Sequence, residues 1–176
     1  MVSTSKDRFA EKTVLDLIPE EFRHLYPVGR LDKETTGLLL LTNDGILAQH
    51  LTHPSFETEK VYFVVLNKGL LPQDRERFEK GIVLEGQKTA PCKIIPKTAR
   101  ELEVVLHEGR KRQIRKMFAL LHYHVETLVR IRESFLKLGD LKPGQWRFLT
   151  NEEIKRLTAE LKMEPPRPAT VFRSGR

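Results

Sequence analysis

The sequence predicts an α+β domain built on a largely antiparallel sheet. One reason is that runs rich in branched and aromatic residues, clearest at 60–67, occur many times along the chain. A second is that the few segments with helical spacing, such as 111–122, interrupt these runs in mixed order rather than after every strand. At 176 residues, the chain has the length of one domain with a sizeable core.

The elements of the N-terminal half follow from apolar runs and the residues that punctuate them. A continuous apolar run predicts a buried strand, and turn residues followed by an apolar segment predict a capped helix. Short apolar pieces beside a proline predict a brief helix and a connection. In order, these are a short helix and connection at 14–18 and 22–25 around Pro19, a buried strand at 37–42, a cap at 43–45, and a helix at 46–53 ended by Pro54.

The C-terminal half contains most of the predicted strands. Helical spacing of Leu71, Arg75, Phe78 and Ile82 predicts one helix, and an apolar face of Ile114, Met117, Phe118 and Leu121 predicts another. We predict strands at 60–67, 82–84, 90–96, 101–107, 125–132, 135–138 and 144–148, helices at 71–82 and 111–122, and a closing helix capped by Asn151 with Glu152 and Glu153 in its first turn.

The composition excludes several classes of protein. Hydrophobic residues make up 39% and charged residues 31%, as in an ordinary globular domain rather than a disordered chain. No apolar run approaches the roughly 18 residues that a membrane span needs, and no secretory signal pattern opens the chain. Cys92 is the single cysteine, which excludes an internal disulfide framework and favours a reducing cytoplasm. We therefore expect a cytoplasmic protein, and we expect it to be monomeric.

The charge distribution indicates a polyanionic partner. Net charge is +7, from 31 Lys and Arg against 24 Asp and Glu. Within 107–132 there are seven basic residues and only two glutamates, and the segment 165–176 holds three arginines and no acid. Such clusters are typical of phosphate binding, although a solvated basic face without a partner would have the same composition.

The most informative segment is 28–45, where Gly-Arg-Leu-Asp precedes a block of four leucines and a turn. It holds Asp32 and Arg30 close to a predicted buried strand. Charged residues in such a place usually form ion pairs or take part in the function of the protein. If 29–32 is extended, Arg30 and Asp32 lie on one face about 6.6–6.8 Å apart. The alternative for Asp32 taken alone is a turn or cap.

Two further segments complete a resemblance to a known family. They are Lys60-Val61-Tyr62 and the stretch 108–118, which contains Gln113-Ile114-Arg115. With segment 28–45, in this order, they resemble the three catalytic motifs of the pseudouridine synthases that modify ribosomal RNA of the small and large subunits, of the B, E and F type. The resemblance spans Ser3 to about Leu157. It implies the pseudouridine synthase fold, a mixed, mainly antiparallel sheet with flanking helices.

The resemblance also implies a catalytic site and a reaction. Asp32 would be the nucleophile, Arg115 would face it, and Tyr62 would stack on a flipped-out base, since such stacking is worth roughly 1–3 kcal/mol per base. Arg30 would assist flipping, and Ile114 would pack at the pocket. Alternatives are a phosphate clamp for Arg30 and Arg115 and a packed strand residue for Tyr62. The remaining expected RNA contacts are Lys60, Arg110, Lys111, Arg112 and Lys116.

Family members commonly carry two N-terminal features that are expected to be missing here. These are a small RNA-binding S4 domain and a strand that ends in an Asn-Lys-Pro-Lys-Gly-like element. We therefore predict a catalytic domain over 1–162 that lacks its first strand, followed by a basic tail at 163–176.

We expect neither a metal nor a cofactor. No Cys/His spacing matches a zinc site, and no phosphate-binding glycine loop is present. Besides an RNA pseudouridine synthase acting on ribosomal RNA, two hypotheses stay open. One is a ribosomal-RNA-binding or assembly protein with impaired catalysis, and the other is a nuclease, disfavoured because Asp32 with Glu34 is a poor set of metal ligands.

Overall fold

Residues 13–161 are described by the computed structural model, and they contain ten strands. The strands are β1 Tyr26–Pro27, β2 Thr36–Gly37, β3 Leu41–Thr42, β4 Lys60–Leu66, β5 Val83–Leu84, β6 Gln87–Lys88, β7 Lys93–Pro96, β8 Glu101–Leu106, β9 Val125–Glu133 and β10 Leu136–Lys137. Six of them form one mixed sheet in the order β10-β9-β4-β8-β7, with β2 paired to β9 away from this path, whereas β1 with β3 and β5 with β6 form two-stranded sheets. All neighbours are antiparallel except β2 and β9. The predicted α+β class with a mainly antiparallel sheet is confirmed.

Four α-helices and three short 3-10 helices accompany these strands in the described part of the chain. The 3-10 helices are Val14–Leu17, Glu20–Phe22 and Pro54–Phe56. The α-helices are α1 Gly45–Thr52, α2 Pro72–Glu79, α3 Gln113–Leu120 and α4 Asn151–Glu160. None of them is long and apolar enough to cross a membrane, as judged over residues 13–161.

Two hydrophobic clusters hold the elements together. The larger one packs α2 and α3 against the sheet, and within it the rings of Phe78 and Phe118 stack with centroids 4.3 Å apart. Both rings are fully buried, so each contributes on the order of 2–3 kcal/mol by leaving water. The smaller cluster packs α1 and α4 against β10 and against the residues on either side of β2. Its buried members are Val28, Leu38, Leu51, Leu136 and Leu157.

The leucine block is not the continuous strand that we predicted for 37–42. Its two ends pair with different partners, because β2 runs parallel to β9 while β3 runs antiparallel to β1. Between them, the Leu38 N–H donates to the Arg130 carbonyl at 2.8 Å, and the Leu40 carbonyl accepts from the Val28 N–H at 2.8 Å. A continuous apolar run indicates burial on both sides, and it does not specify one pairing partner.

Gly37 allows the close approach of this segment to β9. It has φ +107°, and a Cβ built on it would lie 2.3 Å from the Arg130 carbonyl oxygen and 2.6 Å from its nitrogen. Both atoms are backbone, so a side chain at this position could be accommodated only if β2 moved away from β9.

We expect Gly37→Ala to lower the free energy of unfolding by about 2–3 kcal/mol, because it adds a backbone clash to an unfavourable φ. Urea denaturation measures the change. Gly109→Ala is the matched control, since nothing lies within 4 Å of a Cβ built there. Equal stability of the two variants would contradict the prediction.

Three other predictions of local structure are wrong. The segment 144–148 forms no strand, and its alternating rings instead pack edge-on against Phe22, with centroids 5.6 Å away for Trp146 and 5.3 Å for Phe148. The cap of α4 is Thr150 rather than Asn151, because the Thr150 hydroxyl accepts from the Glu153 N–H at 3.1 Å. The stretch 82–96 contains an additional hairpin strand, β6, and β7 begins only at Lys93.

The other predicted elements are confirmed to within a few residues at their ends. The basic tail at 163–176, the residues before Thr13 and the expected loss of a first strand lie outside the described residues.

Candidate active site

A polar cavity of about 230 Å³ lies where the loop before β2 meets the N-terminal end of α3. This is smaller than the roughly 300–1,000 Å³ of sites for drug-sized ligands. The loop contributes Gly29, Arg30, Leu31, Asp32 and Thr35, the sheet contributes Tyr62, Leu106 and Leu128, and the approach to α3 contributes Glu108, Gly109, Arg110, Lys111, Arg112, Gln113 and Ile114. A larger, mainly apolar cavity of about 640 Å³ adjoins it and shares Leu31, Asp32 and Thr35.

Asp32 lies on a loop between a bend and a turn. Gly29 has φ +70°, and the Thr35 N–H donates to the Asp32 carbonyl at 2.8 Å, which closes a turn directly after the aspartate. The condition that 29–32 is extended is therefore not met at Gly29. Both Arg30 and Asp32 nevertheless line the cavity, Arg30 exposed and Asp32 half-buried.

Tyr62 enters the cavity from β4. Burial raises the pKa of its phenol, the positive charge of Arg130 opposes that shift, and the negative charges of Glu133 and Asp32 add to it. The hydroxyl is therefore neutral at ordinary pH and able to donate a hydrogen bond. Tyr62 and Asp32 line the same cavity, so the structure brings these two residues together, while their catalytic roles stay predictions.

Arg115 reaches the same loop but contacts its backbone. Its Nη2 donates to the Glu34 carbonyl at 2.7 Å, its Nη1 donates to the Val125 carbonyl at 2.7 Å, and its Nε lies 3.7 Å from the Glu34 carboxylate. The guanidinium thus ties the loop that carries Asp32 to α3 and to the start of β9. We expected it to face the aspartate, whereas its hydrogen bonds in the described structure go to these two carbonyls. A direct catalytic role for Arg115 stays a prediction.

The basic residues around the cavity differ in the hydrogen bonds and ion pairs that they form with the rest of the chain. Arg110 donates to the Gln87 and Lys88 carbonyls at 3.1 and 2.7 Å and so holds the β5–β6 hairpin. Lys116 pairs with Glu85 at 2.5 Å. Arg112 pairs with Glu34 at 2.7 Å, and the hydrogen bond and charge of that glutamate raise the pKa of the Arg112 guanidinium, with a small contribution from Asp32. Lys111 is exposed at the cavity wall.

Ile114 and Lys60 occupy different places relative to the cavity. The Ile114 side chain is only 4% exposed and lines it, as expected. Lys60 is largely buried beneath it, where its Nζ donates to the Leu51 and Thr58 carbonyls, each at 3.3 Å. The structure therefore places Lys60 in the interior and outside the cavity lining, so a direct RNA contact from it stays a prediction.

The chain is similar to known proteins in both sequence and fold. Residues 1–120 match the family model described as RNA pseudouridylate synthase. The chain belongs to this synthase family. In solved structures, a pseudouridylate synthase that is 32% identical superposes with a TM-score of 0.83 over 89% of this chain and 68% of that chain.

Curated relatives of the synthase family give the same result. "Ribosomal large subunit pseudouridine synthase B" of Bacillus subtilis is 42% identical over 166 residues, covering 90% of this chain and 68% of the relative. "Ribosomal small subunit pseudouridine synthase A" of Escherichia coli is 39% identical over 133 residues, covering 74% of this chain and 58% of the relative. This synthase chain therefore spans about two thirds or less of the length of these relatives.

Sequence reasoning missed a buried ionic network behind the synthase cavity. Arg130 and Glu133 are 2% and 0% exposed on β9, directly across from Tyr62 and Lys60 on β4. The Glu133 carboxylate lies 3.6 Å from the Arg130 guanidinium and 3.7 Å from the Lys60 ammonium. Arg130 is one of the seven basic residues at 107–132, and its burial separates it from the exposed cations of that segment.

Arg130 also joins the network to the backbone directly after β2, six residues beyond Asp32. Its Nε donates to the Leu38 carbonyl at 2.7 Å, and its own carbonyl accepts from the Leu38 N–H at 2.8 Å. The sequence contains only a weak clue, namely three charged residues, Arg130, Arg132 and Glu133, near the end of a strand that is otherwise largely apolar, and such residues fit an exposed strand face equally well.

Groups of three or more His, Cys, Asp or Glu with the geometry to hold a metal ion are not found within residues 13–161. The side chains that line the cavity supply two carboxylates, one phenol, three guanidinium groups and one ammonium, from Asp32, Glu108, Tyr62, Arg30, Arg110, Arg112 and Lys111.

Proposed function

We propose that this chain converts a uridine of ribosomal RNA to pseudouridine, with Asp32 acting on a flipped-out base. The observation that carries the proposal is that Asp32 and Tyr62 meet at one small cavity, in a chain of the RNA pseudouridylate synthase family. Ribosomal RNA is the proposed substrate because one of these relatives is named for the large ribosomal subunit and the other for the small ribosomal subunit.

The reaction requires a base to leave its stack and enter the cavity. A planar uracil would lie against the Tyr62 ring, which replaces part of the stacking lost on flipping. Ile114 offers an apolar contact at the wall, and exposed Arg30 lies at the loop where it can fill the gap left in the RNA. A uridine in a loop or bulge is the least costly target, because it is already partly unstacked.

The chemistry itself needs no external reagent. The bond between N1 of uracil and C1′ of ribose breaks, the uracil turns, and a bond forms between C5 and C1′. The hydrogen on C5 leaves as a proton and N1 gains one, so the composition of the RNA does not change. Asp32 would supply the carboxylate that acts at the target uridine.

Binding of the RNA backbone would depend on the cations around the cavity. Arg30, Lys111 and Arg112 lie at its wall, and they would supply a salt-sensitive attraction that does not depend on sequence. We further propose that Arg115 and the Arg130 network hold the loop and Tyr62 in position, since both contact the backbone that flanks Asp32. A monomer acting in the cytoplasm remains our expectation.

The test is conversion of ribosomal RNA transcripts labelled with tritium at C5 of uridine. We expect tritium release together with new pseudouridine, mapped by sequencing of small- and large-subunit transcripts. Mapping of ribosomal RNA from cells with and without the gene would identify the site. RNA binding without conversion would instead favour a ribosomal-RNA-binding or assembly protein, and activity abolished by a chelator would favour a nuclease.

A further inference from the structure

The ion pair between Arg112 and Glu34 lies at the mouth of the candidate site and uses residues from both of its walls. Arg112 directly precedes α3, and Glu34 is in the turn that follows Asp32. One guanidinium nitrogen of Arg112 donates to the Glu34 carboxylate at 2.7 Å. A cation that lines the cavity is thus occupied by an acid of the same chain.

This pair is open to solvent and therefore easily exchanged. The side chains of Arg112 and Glu34 are 38% and 57% exposed, and pairs with such exposure contribute little net stability. Arg112 also has φ +55°, a conformation that non-glycine residues rarely adopt and that is concentrated at functional sites. The guanidinium of this residue lines the cavity and at the same time bonds the Glu34 carboxylate.

The neighbouring arginine has a different status. The Arg115 side chain is 12% exposed, and its guanidinium donates to the backbone carbonyls of Glu34 and Val125. Both bonds go to backbone carbonyls, so they survive replacement of the Glu34 carboxylate, which removes only the 3.7 Å contact of that carboxylate with the Arg115 Nε. Arg112 is consequently the one of the two guanidinium groups that an incoming anion can reach.

We propose that the Glu34 carboxylate occupies the position of an RNA phosphate on Arg112 and is displaced when RNA binds. This inference rests on the proposed function, because it assumes that RNA backbone approaches this cavity. Glu34 then acts as an internal competitor that weakens the binding of any RNA by backbone contacts alone. It raises selectivity, because a target that also places a uridine in the cavity compensates for the displacement whereas other RNA does not.

The experiment measures binding of fluorescently labelled oligocytidine, which contains no uridine and so reports backbone contacts without turnover. We expect Glu34→Gln to bind about two- to fivefold more tightly than the parent protein. We also expect its logarithmic salt dependence to be steeper by about 0.7, the value for one additional phosphate contact on a single strand. Arg112→Gln should bind more weakly than the parent.

The double variant separates competition at Arg112 from general repulsion. In the Arg112→Gln background, Glu34→Gln should have no further effect, because the contested cation is gone. Glu126→Gln is the matched charge control, since Glu126 is 45% exposed and forms an ion pair of 2.5 Å with Arg100. Neither residue lines the cavity. This control variant should leave the affinity unchanged.

Each remaining outcome counts against the proposal. Unchanged affinity in Glu34→Gln, or an equal gain with and without Arg112, would overturn the inference while leaving the proposed synthase function intact. If neither the parent nor Glu34→Gln binds oligocytidine or ribosomal RNA, the proposed function fails and the inference fails with it.

Discussion

Replacing Asp32 by asparagine is expected to abolish conversion of uridine while leaving RNA binding in place. The amide has nearly the same size as the carboxylate but lacks its charge and nucleophilicity, so conversion should fall by on the order of 10³-fold or more. The turn after Asp32 uses its backbone carbonyl, which the substitution retains, so the loop should keep its shape. Release of tritium from uridine labelled at C5 measures the loss, and filter binding of the same transcript measures retention.

The control for Asp32→Asn is Asp140→Asn, which removes the same charge from an exposed turn away from the cavity lining. It should convert uridine at the parental rate. Turnover of Asp32→Asn within a few fold of the parent would remove Asp32 from the chemistry. If binding and conversion are lost together, the substitution has disturbed the RNA site, and the carboxylate has no separate chemical role.

The sequence is sufficient to predict those parts of the site that depend on short segments. Asp32, Tyr62 and Ile114 were each identified within a motif of a few residues, and all three line the cavity. Their convergence depends on the sheet, which places Tyr62 of β4 beside β9 and near the loop before β2. The branched and aromatic residues of β4 and the helical face of α3 are local features, so these elements too could be predicted.

The role of a charged residue is harder to predict, because its partner is distant in sequence. Arg115 was expected to face Asp32, yet its hydrogen bonds go to carbonyls of Glu34 and Val125. Arg110 was assigned to RNA, yet it holds backbone of the β5–β6 hairpin. A run of basic residues gives the total charge of a surface, whereas the fold decides which guanidinium groups are already bonded.

The leucine block shows the same limit for backbone structure. Four consecutive leucines predict burial, and Leu38 is indeed buried in the smaller cluster. The change of partner from β9 to β1 within six residues depends on a close contact between Gly37 and Arg130. No local propensity encodes that contact, because its second member lies far along the chain.

Glu133→Gln is expected to cause the largest loss of stability among the substitutions considered. The carboxylate lies between the Arg130 guanidinium and the Lys60 ammonium, and all three side chains are at most 13% exposed. Removing its charge leaves two buried cations facing each other without an anion. Breaking a buried ion pair in this way typically costs about 3–5 kcal/mol. Urea denaturation at pH 7 measures the change.

The loss in Glu133→Gln should shrink as the pH rises. Burial lowers the pKa of Lys60 below its ordinary value, the charge of Glu133 opposes this shift, and Arg130 adds to it. Without the carboxylate the folded-state pKa of Lys60 falls further. At pH values between the folded-state pKa and the unfolded-state pKa of Lys60, the unfolded chain binds more protons than the folded chain. The free energy of unfolding therefore rises with pH in that range. Arg130 still lacks its anionic partner in this variant, so the recovery is partial.

The pH dependence distinguishes an ionic network from simple loss of packing. Glu126→Gln, on the same strand but 45% exposed, should cost at most about 1 kcal/mol and show no such recovery. In a Lys60→Met background the recovery should also vanish, since the group that titrates is absent. A Glu133→Gln deficit that stays constant from pH 7 to pH 10 would mean that Lys60 does not titrate within the network. Because Arg130 is bonded to Leu38 behind the loop of Asp32, the same measurements report how firmly the floor of the cavity is held.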